Sequence, residues 1–239
     1  MNTIKRQLDK YNIILNDSQI EKLYHYYNLV AEYNKSVNLT AITDYEEFIL
    51  KHYVDSLYLL LLNNKLTNSR ILDLGTGGGF PGIPLAIALP DCSFVLMDSL
   101  NKRIRFLCDA VAELSLDNVL PLHGRAEEMG HDPEYREAFD FCVSRAVAKL
   151  SVLSEFALPL VKVGGSFISY KADDIDLETK SAENAIKTLG GEVNKIEKYI
   201  ISQVNNEDDM HRSMVFIDKT SSTPDKYPRR AGVPSKKPL

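Results

Sequence analysis

The sequence of 239 residues contains no tryptophan and little cysteine. Its three cysteines, Cys92, Cys108 and Cys142, are odd in number, far apart and never spaced as Cys-x-x-Cys. This pattern argues against both a disulfide framework and a zinc site. We therefore expect no bound metal and a protein that works in a reducing cytoplasm.

Long hydrophobic runs are also missing. The most apolar stretch, residues 57–62, is far shorter than the roughly 20 residues that a transmembrane helix needs. The N-terminal residues show no signal peptide. These absences predict a protein that is neither membrane-embedded nor exported, and we expect it to be a monomer.

Positive charge is scarce in most of the chain. The formal net charge is −5, yet residues 219–239 hold six basic residues against Asp225 alone, a local charge of +5, so residues 1–218 carry −10. This segregation indicates a polyanionic partner for the tail. Composition alone leaves open the alternative that the basic tail is solvated and disordered.

The most informative stretch is residues 71–82, where a short apolar segment runs into a cluster of glycines and a second apolar segment follows. This order predicts a strand, a tight turn and a helix. Glycine lets backbone N–H groups approach a ligand at φ angles that other residues avoid, and a helix start adds a positive dipole end. The stretch therefore predicts a site for a nucleotide-like ligand.

The glycines can be placed in two registers. Gly77-x-Gly79-x-x-Gly82 fits the dinucleotide fingerprint, whereas Asp73-x-Gly75-x-Gly77-x-Gly79 fits enzymes that use S-adenosylmethionine. The acid at Asp73 would repel a pyrophosphate but suits a cationic amino-acid group. We favour S-adenosylmethionine on this ground. A nicotinamide-dependent oxidoreductase and a turn that binds nothing are the alternatives.

Short apolar segments alternate with helical ones from residue 71 to residue 170, which predicts an α/β fold with a doubly wound sheet. Pro121 makes the third strand less central. Two helices, 18–34 and 46–63, precede the first strand. Ser18 and Glu21 have the spacing of a capping box for the first of them. We divide the chain into an N-terminal helical extension (1–66), a ligand-binding domain (67–218) and a basic tail (219–239).

Some polar residues are predicted to reach the ligand-binding edge of the sheet. Asp98 closes the second strand, where an acid can accept hydrogen bonds from a ribose diol. Arg145 follows the fourth strand and is the best-placed cation, although it could instead pair with a surface carboxylate. In the second helix, four hydrophilic residues are predicted to form a solvated face: Lys51, His52, Asp55 and Ser56.

Seven stretches, in order from residue 38 to the last residue, are weak motifs singly but specific as a set. They are residues 38–43 (NLTAIT), 51–56 (KHYVDS), the glycine turn through Pro84, 98–103 (DSLNKR), 125–127 (RAE), 144–148 (SRAVA) and 226–234 (KYPRRAGVP). The set resembles the bacterial ribosomal RNA small subunit methyltransferase G family, formerly called glucose-inhibited division protein B. Between residues 172 and 220 no sharp motif matches.

The resemblance implies a Rossmann-like fold of the class I S-adenosylmethionine-dependent methyltransferases. It further implies methyl transfer from S-adenosylmethionine to N7 of a guanine in 16S ribosomal RNA, near the decoding region, with the free RNA or the small-subunit particle as partner. Five matching positions look like cofactor contacts, and three more are added from their places at strand ends. The five are Gly75, Phe80, Ala126, Glu127 and Arg145, and the three are Gly77, Gly79 and Asp98.

The chemistry of guanine N7 fits what the sequence lacks. This nitrogen has an in-plane lone pair and no proton, so it can attack a sulfonium methyl group without a general base. We therefore expect that no general base is required, and we assign no catalytic residue. Arg145, the nearest candidate, is assigned to cofactor or phosphate contact.

The basic tail supplies the predicted RNA contacts. They are Lys226, Arg229, Arg230, Lys236 and Lys237, carried by an extended strap. Arg229 could instead pair with the acidic body and brace the fold. Two further alternatives for the protein stay open, a methyltransferase for a small molecule or protein and a non-catalytic RNA-binding protein.

Overall fold

The structure is a computed structural model that describes residues 1–63, 65–172, 175–202 and 209–239. A single seven-stranded sheet forms its centre, which confirms the predicted α/β fold. The strands are β1 (Arg70–Leu74), β2 (Ser93–Asp98), β3 (Val119–His123), β4 (Phe139–Arg145), β5 (Val161–Ala172), β6 (Gly191–Ile201) and β7 (Met210–Lys219).

The strand order is β3-β2-β1-β4-β5-β7-β6. Strands β1 to β5 are parallel, and β7 is antiparallel to both of its neighbours. From β1 the chain moves outward to β2 and β3, then returns to place β4 beside β1. The order therefore reverses between β1 and β4, the point at which open α/β sheets bind ligands beyond the carboxyl ends of their strands. As Pro121 indicated, β3 is an edge strand.

The helices cover both faces of the sheet. Alternate strand residues enter two different apolar clusters, so that Ile71 packs with the N-terminal helices and Leu72 packs on the opposite side. None of the helices in the described ranges is long and apolar enough to cross a membrane. The helices are Asn2–Lys10, Asp17–Val37, Tyr45–Phe48, Ile49–Val54, Asp55–Leu57, Leu59–Leu62, Gly82–Ala88, Asn101–Glu113, Ala126–Met129, Leu150–Ala157, Leu158–Leu160, Asp176–Thr188 and Val233–Lys236.

The first predicted helix is longer than expected and has a different cap. Its capping box is made by Asn16 and Gln19, each of which accepts a 2.9 Å hydrogen bond from the backbone of the other. The predicted box of Ser18 and Glu21 is wrong because the helix has already begun at Asp17, so both residues lie inside it.

The second predicted helix is not uniform. Its middle segment, Ile49–Val54, is a π-helix between short α-helical turns. Such wide turns are rare and are frequent at functional sites. Five of its six residues are buried, which already separates it from the solvated helix face expected from the sequence.

Candidate functional site

The glycine turn lies at the carboxyl end of β1, beside the point where the strand order reverses. Gly75 has a φ of +72° and Gly77 a φ of +61°, a left-handed backbone that favours glycine. A Cβ on Gly75 would lie 2.5 Å from Cγ2 of Val147, so the loop that follows β4 packs directly on the turn. A Cβ on Gly77 would meet nothing closer than 4.0 Å, which leaves that side of the turn open to a ligand.

Asp73 is fully buried beneath this turn. Its Oδ2 accepts hydrogen bonds from the Thr76 hydroxyl at 2.7 Å and from the Gly82 backbone at 2.8 Å. Its Oδ1 has no partner within the described residues. Burial raises the pKa of this carboxyl to about 6 against the effect of its hydrogen bonds. A buried acceptor without a partner fits the cationic end of S-adenosylmethionine, as the sequence indicated.

Asp98 ends β2 next to the same turn. Its Oδ2 accepts a 3.0 Å hydrogen bond from the Gly77 backbone and a 3.1 Å bond from Arg103, and its Oδ1 accepts from Leu100 at 2.8 Å. A carboxylate offers about four lone pairs, so capacity for a ribose hydroxyl remains. The loop after β3 is adjacent, because Gly124 donates to the Asp98 carbonyl at 3.2 Å.

Two of the predicted cofactor contacts, Ala126 and Glu127, begin a short helix, Ala126–Met129, that follows this loop. Ala126 is buried, and Glu127 is partly exposed at the helix start. The ends of β1, β2 and β3 thus place six of the predicted cofactor contacts along one edge of the sheet: Gly75, Gly77, Gly79, Asp98, Ala126 and Glu127.

Phe80 joins the turn to the N-terminal extension. Its ring stacks on His52 with centroids 4.3 Å apart and packs 5.5 Å from the ring of Tyr26. The Tyr26 hydroxyl also donates a hydrogen bond to the Gly78 carbonyl. The extension therefore holds the turn directly, a role that the sequence did not indicate.

Arg145 extends from the end of β4 toward the π-helical segment. Its Nη1 donates to the Lys51 carbonyl at 2.9 Å and to Asp55 Oδ2 at 2.8 Å, and its Nη2 lies 3.1 Å from Nδ1 of His52. The alternative that Arg145 pairs with a surface carboxylate is wrong, because its carboxylate partner, Asp55, is buried and only 4% exposed.

The expected solvated face is likewise wrong. His52, Asp55 and Ser56 are buried, and Lys51 is partly buried. Helical spacing cannot reveal this, because the partner that turns the face inward, Arg145, lies 90 residues further along the chain. The only sequence signal for His52 and Asp55 as site residues is that both belong to residues 51–56 (KHYVDS), one of the stretches that carry the family resemblance.

The ring of His52 is neutral. Burial, and next the charge of Arg145, lower its pKa to about 2. Since a guanidinium only donates, Nδ1 must accept from Arg145, and the proton lies on Nε2, 2.8 Å from the Thr40 hydroxyl. This ring is fixed in one tautomer and is no candidate for acid catalysis.

A cavity of about 380 Å³ opens beside Arg145, beyond the carboxyl ends of β4 and β5. On its wall Ala146 adopts a φ of +58°, which is strained for a residue with a side chain and is common near functional sites. Four cations and one carboxylate line it, and two of the cations, Lys51 and Lys171, also pair with Glu47 and Glu178, which leaves a small excess of positive charge. The lining residues are Ile42, Lys51, His52, Asp55, Arg145, Ala146, Tyr170, Lys171, Ala172 and Arg212.

The basic tail is not an extended strap. It folds back on helix Leu150–Ala157 and ends in the short helix Val233–Lys236, which tolerates Pro234 in its first turn. Tyr227 and Pro228 are buried. The guanidinium of Arg136 in the body donates to the tail carbonyls of Tyr227 and Thr223 and lies near the carboxylate of Asp225.

Two tail cations are paired with carboxylates of the body. Arg229 binds Glu155, and the fully buried ammonium of Lys219 lies 3.1 Å from Glu137. The exposed cations are Lys226, Arg230, Lys236 and Lys237. A cleft of about 700 Å³ is lined by Lys226 and Arg230 on one side and by Glu127 on the other, so the tail lies beside helix Ala126–Met129.

Comparison with known proteins agrees with this geometry. The GidB family, described as rRNA small subunit methyltransferase G, matches residues 19–205. Proteins named Ribosomal RNA small subunit methyltransferase G from Desulforamulus reducens and Lachnoclostridium phytofermentans are 46% and 48% identical. The first match covers 99% of this chain and 97% of the relative, and the second covers 94% and 91%.

Solved structures share the fold at low identity. TYW2 of M. jannaschii, in complex with AdoMet, aligns with a TM-score of 0.55 and 16% identity over 75% of this chain and 79% of that one. Precorrin-6y C5,15-methyltransferase of Geobacter metallireducens aligns with a TM-score of 0.50 and 13% identity over 69% and 87%. These two similarities concern the fold alone.

Proposed function

Because the chain belongs to the rRNA small subunit methyltransferase G family, we propose that it transfers a methyl group from S-adenosylmethionine to N7 of a guanine in 16S ribosomal RNA. Its sheet has the Rossmann-like fold of the class I methyltransferases. The observation that carries the proposal is the meeting of the open glycine turn and the positively charged cavity at Arg145, on one edge of the sheet.

The turn side of Arg145 is proposed to hold the cofactor. The open side of Gly77 leaves room for it, Asp98 is placed for its ribose, and the Asp73 Oδ1 is an acceptor without a partner for its ammonium group. Gly75 packs against Val147 and Gly79 against Tyr26, so these two glycines are proposed to meet the cofactor through their backbone alone. Ala126, Glu127, Phe80 and Arg145 complete the proposed contacts. When bound, S-adenosylmethionine supplies an electrophilic methyl group on a positively charged sulfur.

The cavity side of Arg145 is proposed to receive the acceptor nucleotide. Its size lies in the range of pockets for small ligands, about 300–1,000 Å³. The cations Lys51, Lys171 and Arg212 suit the phosphates of RNA rather than the base, since the methylated guanine itself becomes cationic. Each already has a carboxylate neighbour, Glu47, Glu178 or Asp55, so a phosphate would share these cations with the protein. The neutral His52 is consistent with a reaction that removes no proton.

The tail is proposed to extend the RNA-binding surface. Lys226, Arg230, Lys236 and Lys237 are exposed, and the first two lie across a cleft from Glu127 of helix Ala126–Met129. Arg229 is no longer proposed as an RNA contact, because its guanidinium pairs with Glu155; it supports the surface by holding the tail on the body. A ribosomal RNA substrate is compatible with the cytoplasm, and the monomeric state remains our expectation.

Methyl transfer into ribosomal RNA tests the proposal. Small-subunit particles and free 16S RNA from a strain that lacks this modification would be incubated with labelled S-adenosylmethionine, and the RNA digested to nucleosides. We expect label in 7-methylguanosine, with particles from the parent strain as the already methylated control. No transfer to either substrate, or label in another nucleoside, would contradict the proposal.

A ligand comparison tests the alternatives. S-adenosylhomocysteine at 100 times its Kd should stabilise the protein by about 2.7 kcal/mol, while NAD should leave the unfolding temperature unchanged. Stabilisation by NAD alone would favour the oxidoreductase. Binding of RNA without either ligand would favour a non-catalytic RNA-binding protein.

A further inference from the structure

One carboxylate connects three separate parts of the chain. Asp55 lies in the helical extension, and its Oδ2 accepts from Arg145 at the end of β4. Its Oδ1 accepts a 2.8 Å hydrogen bond from the Tyr199 hydroxyl on β6 and lies 3.6 Å from Arg212 on β7. Both carboxylate oxygens are therefore engaged, and Asp55 is not free to bind a ligand itself.

The extension also supplies every close acceptor of the Arg145 guanidinium among the described residues. They are the Lys51 carbonyl, Asp55 Oδ2 and His52 Nδ1, between 2.8 and 3.1 Å away. A guanidinium is a planar fork, so three acceptors around it fix both its position and its plane. The ring of His52 is itself fixed by Thr40 and by the stack on Phe80.

We propose that His52 and Asp55 are positioning residues, which hold the Arg145 guanidinium at the boundary between the glycine turn and the cavity. The proposal rests on the proposed function, in which Arg145 contacts the cofactor or a phosphate. The helical extension is then a part of the active centre. The antiparallel pair β6 and β7 takes part as well, because Tyr199 and Arg212 hold Asp55 from the other side.

Two substitutions of His52 separate positioning from packing. His52→Asn keeps an acceptor near the place of Nδ1 but loses the stack on Phe80. His52→Phe keeps an aromatic ring against Phe80 but loses the acceptor. If positioning matters, His52→Asn should retain affinity for S-adenosylhomocysteine and kcat within a few-fold, while His52→Phe should lose about tenfold in affinity, as for one charge-assisted hydrogen bond.

The unfolding temperatures should show the opposite order. His52→Phe keeps the buried ring contact and should unfold at the higher temperature of the two variants. A purely structural His52 would make affinity and kcat follow the unfolding temperature, and that result would overturn the proposal. Equal, wild-type kinetics in both variants would overturn it too.

Asp55 is tested by its coupling to Arg145. In the wild-type background, Asp55→Asn should reduce kcat with small-subunit particles on the order of 100-fold, the cost of misplacing a group by about 1 Å. In a protein that already carries Arg145→Ala, the same change should alter kcat by less than about twofold. Independent losses would show that Asp55 does not act through Arg145. A wild-type protein that neither binds S-adenosylhomocysteine nor methylates RNA would instead refute the proposed function.

Discussion

The guanidinium of Arg229 binds the carboxylate of Glu155 through two parallel hydrogen bonds, from Nε to Oε1 at 2.8 Å and from Nη2 to Oε2 at 2.6 Å. The backbone N–H of Arg229 donates a third, also at 2.8 Å. Glu155 has no exposed surface, so the tail supplies the partner of a carboxylate in the body. This contact corresponds to the bracing role that the sequence left open for Arg229.

Arg229→Ala should therefore destabilise the protein. The change leaves Glu155 buried without its cation, and removal of one partner of a buried ion pair costs about 3–5 kcal/mol. Urea unfolding measures the loss. Arg230→Ala is the matched control, because Arg230 is exposed and its removal should change stability by less than about 0.5 kcal/mol. Equal midpoints for the two variants would show that the ion pair does not hold the tail.

The sheet could be predicted because its signals are local. Strands β1 to β4 are short, largely apolar segments bounded by turn residues, and Pro121 marks the edge strand through its missing N–H. Gly75 and Gly77 indicate a turn because glycine adopts positive φ angles, here +72° and +61°, with little strain. Such features depend on neighbours in sequence and need no knowledge of the rest of the fold.

The polar contacts of the site could not be predicted in the same way. Arg145 and Asp55 are 90 residues apart, and Arg229 and Glu155 are 74 apart. Composition counts a charge but not its partner, which is why Lys219 contributed to the charge of the tail although it is buried against Glu137. The number of cations available to RNA is therefore smaller than the charge of the tail indicated.

Gly77→Ala tests the glycine turn. The left-handed φ of Gly77 disfavours a Cβ, which costs roughly 1–2 kcal/mol of stability, and the Cβ would point into the open space proposed for the cofactor. Affinity for S-adenosylhomocysteine, measured by calorimetry, should fall. Gly164→Ala is a matched control, since Gly164 also has a positive φ, +88°, with nothing within 4 Å, but lies near the start of β5.

The Gly164→Ala control should lose as much stability as Gly77→Ala but keep the wild-type affinity for S-adenosylhomocysteine. If both alanine variants bound the ligand like the wild type, the turn would not be part of the cofactor site. If both lost affinity equally, the loss would follow from reduced stability alone.

Asp73→Asn should change the pH dependence of stability. The pKa of Asp73 is raised from 3.8 to about 6 on folding, so between these values the folded protein binds a proton that the unfolded chain has released. The contribution of Asp73 to stability is thus present at low pH and is lost as the pH rises toward 6, at about 1.4 kcal/mol per pH unit. The asparagine variant should lack this slope.

The measurement is the difference in unfolding free energy between wild type and variant at several values between pH 4 and pH 6. The comparison is needed because His52, with its pKa lowered to about 2, gives a slope of opposite sign below pH 6.5. A difference that does not vary with pH would show that Asp73 is ionised throughout this range.

Replacement of Arg230 and Lys236 together by alanine tests the RNA-binding surface of the tail. Both side chains are exposed, and neither is needed to pair a buried carboxylate. Each phosphate contact that is lost should flatten the plot of log K against log salt by about 0.7–0.9, because fewer counterions are released on binding. Affinity for 16S RNA should fall most at low salt, while affinity for S-adenosylhomocysteine stays unchanged.

The control removes the same charge elsewhere. Lys10 and Lys65 are exposed and lie outside the tail, so their joint replacement by alanine makes the net charge equally more negative. If the RNA follows the tail, only the Arg230 and Lys236 pair should flatten the salt dependence. Equal flattening by both pairs would mean that RNA responds to the overall charge of an acidic protein. In that case the basic tail serves the fold through Arg229 and Lys219 rather than the substrate.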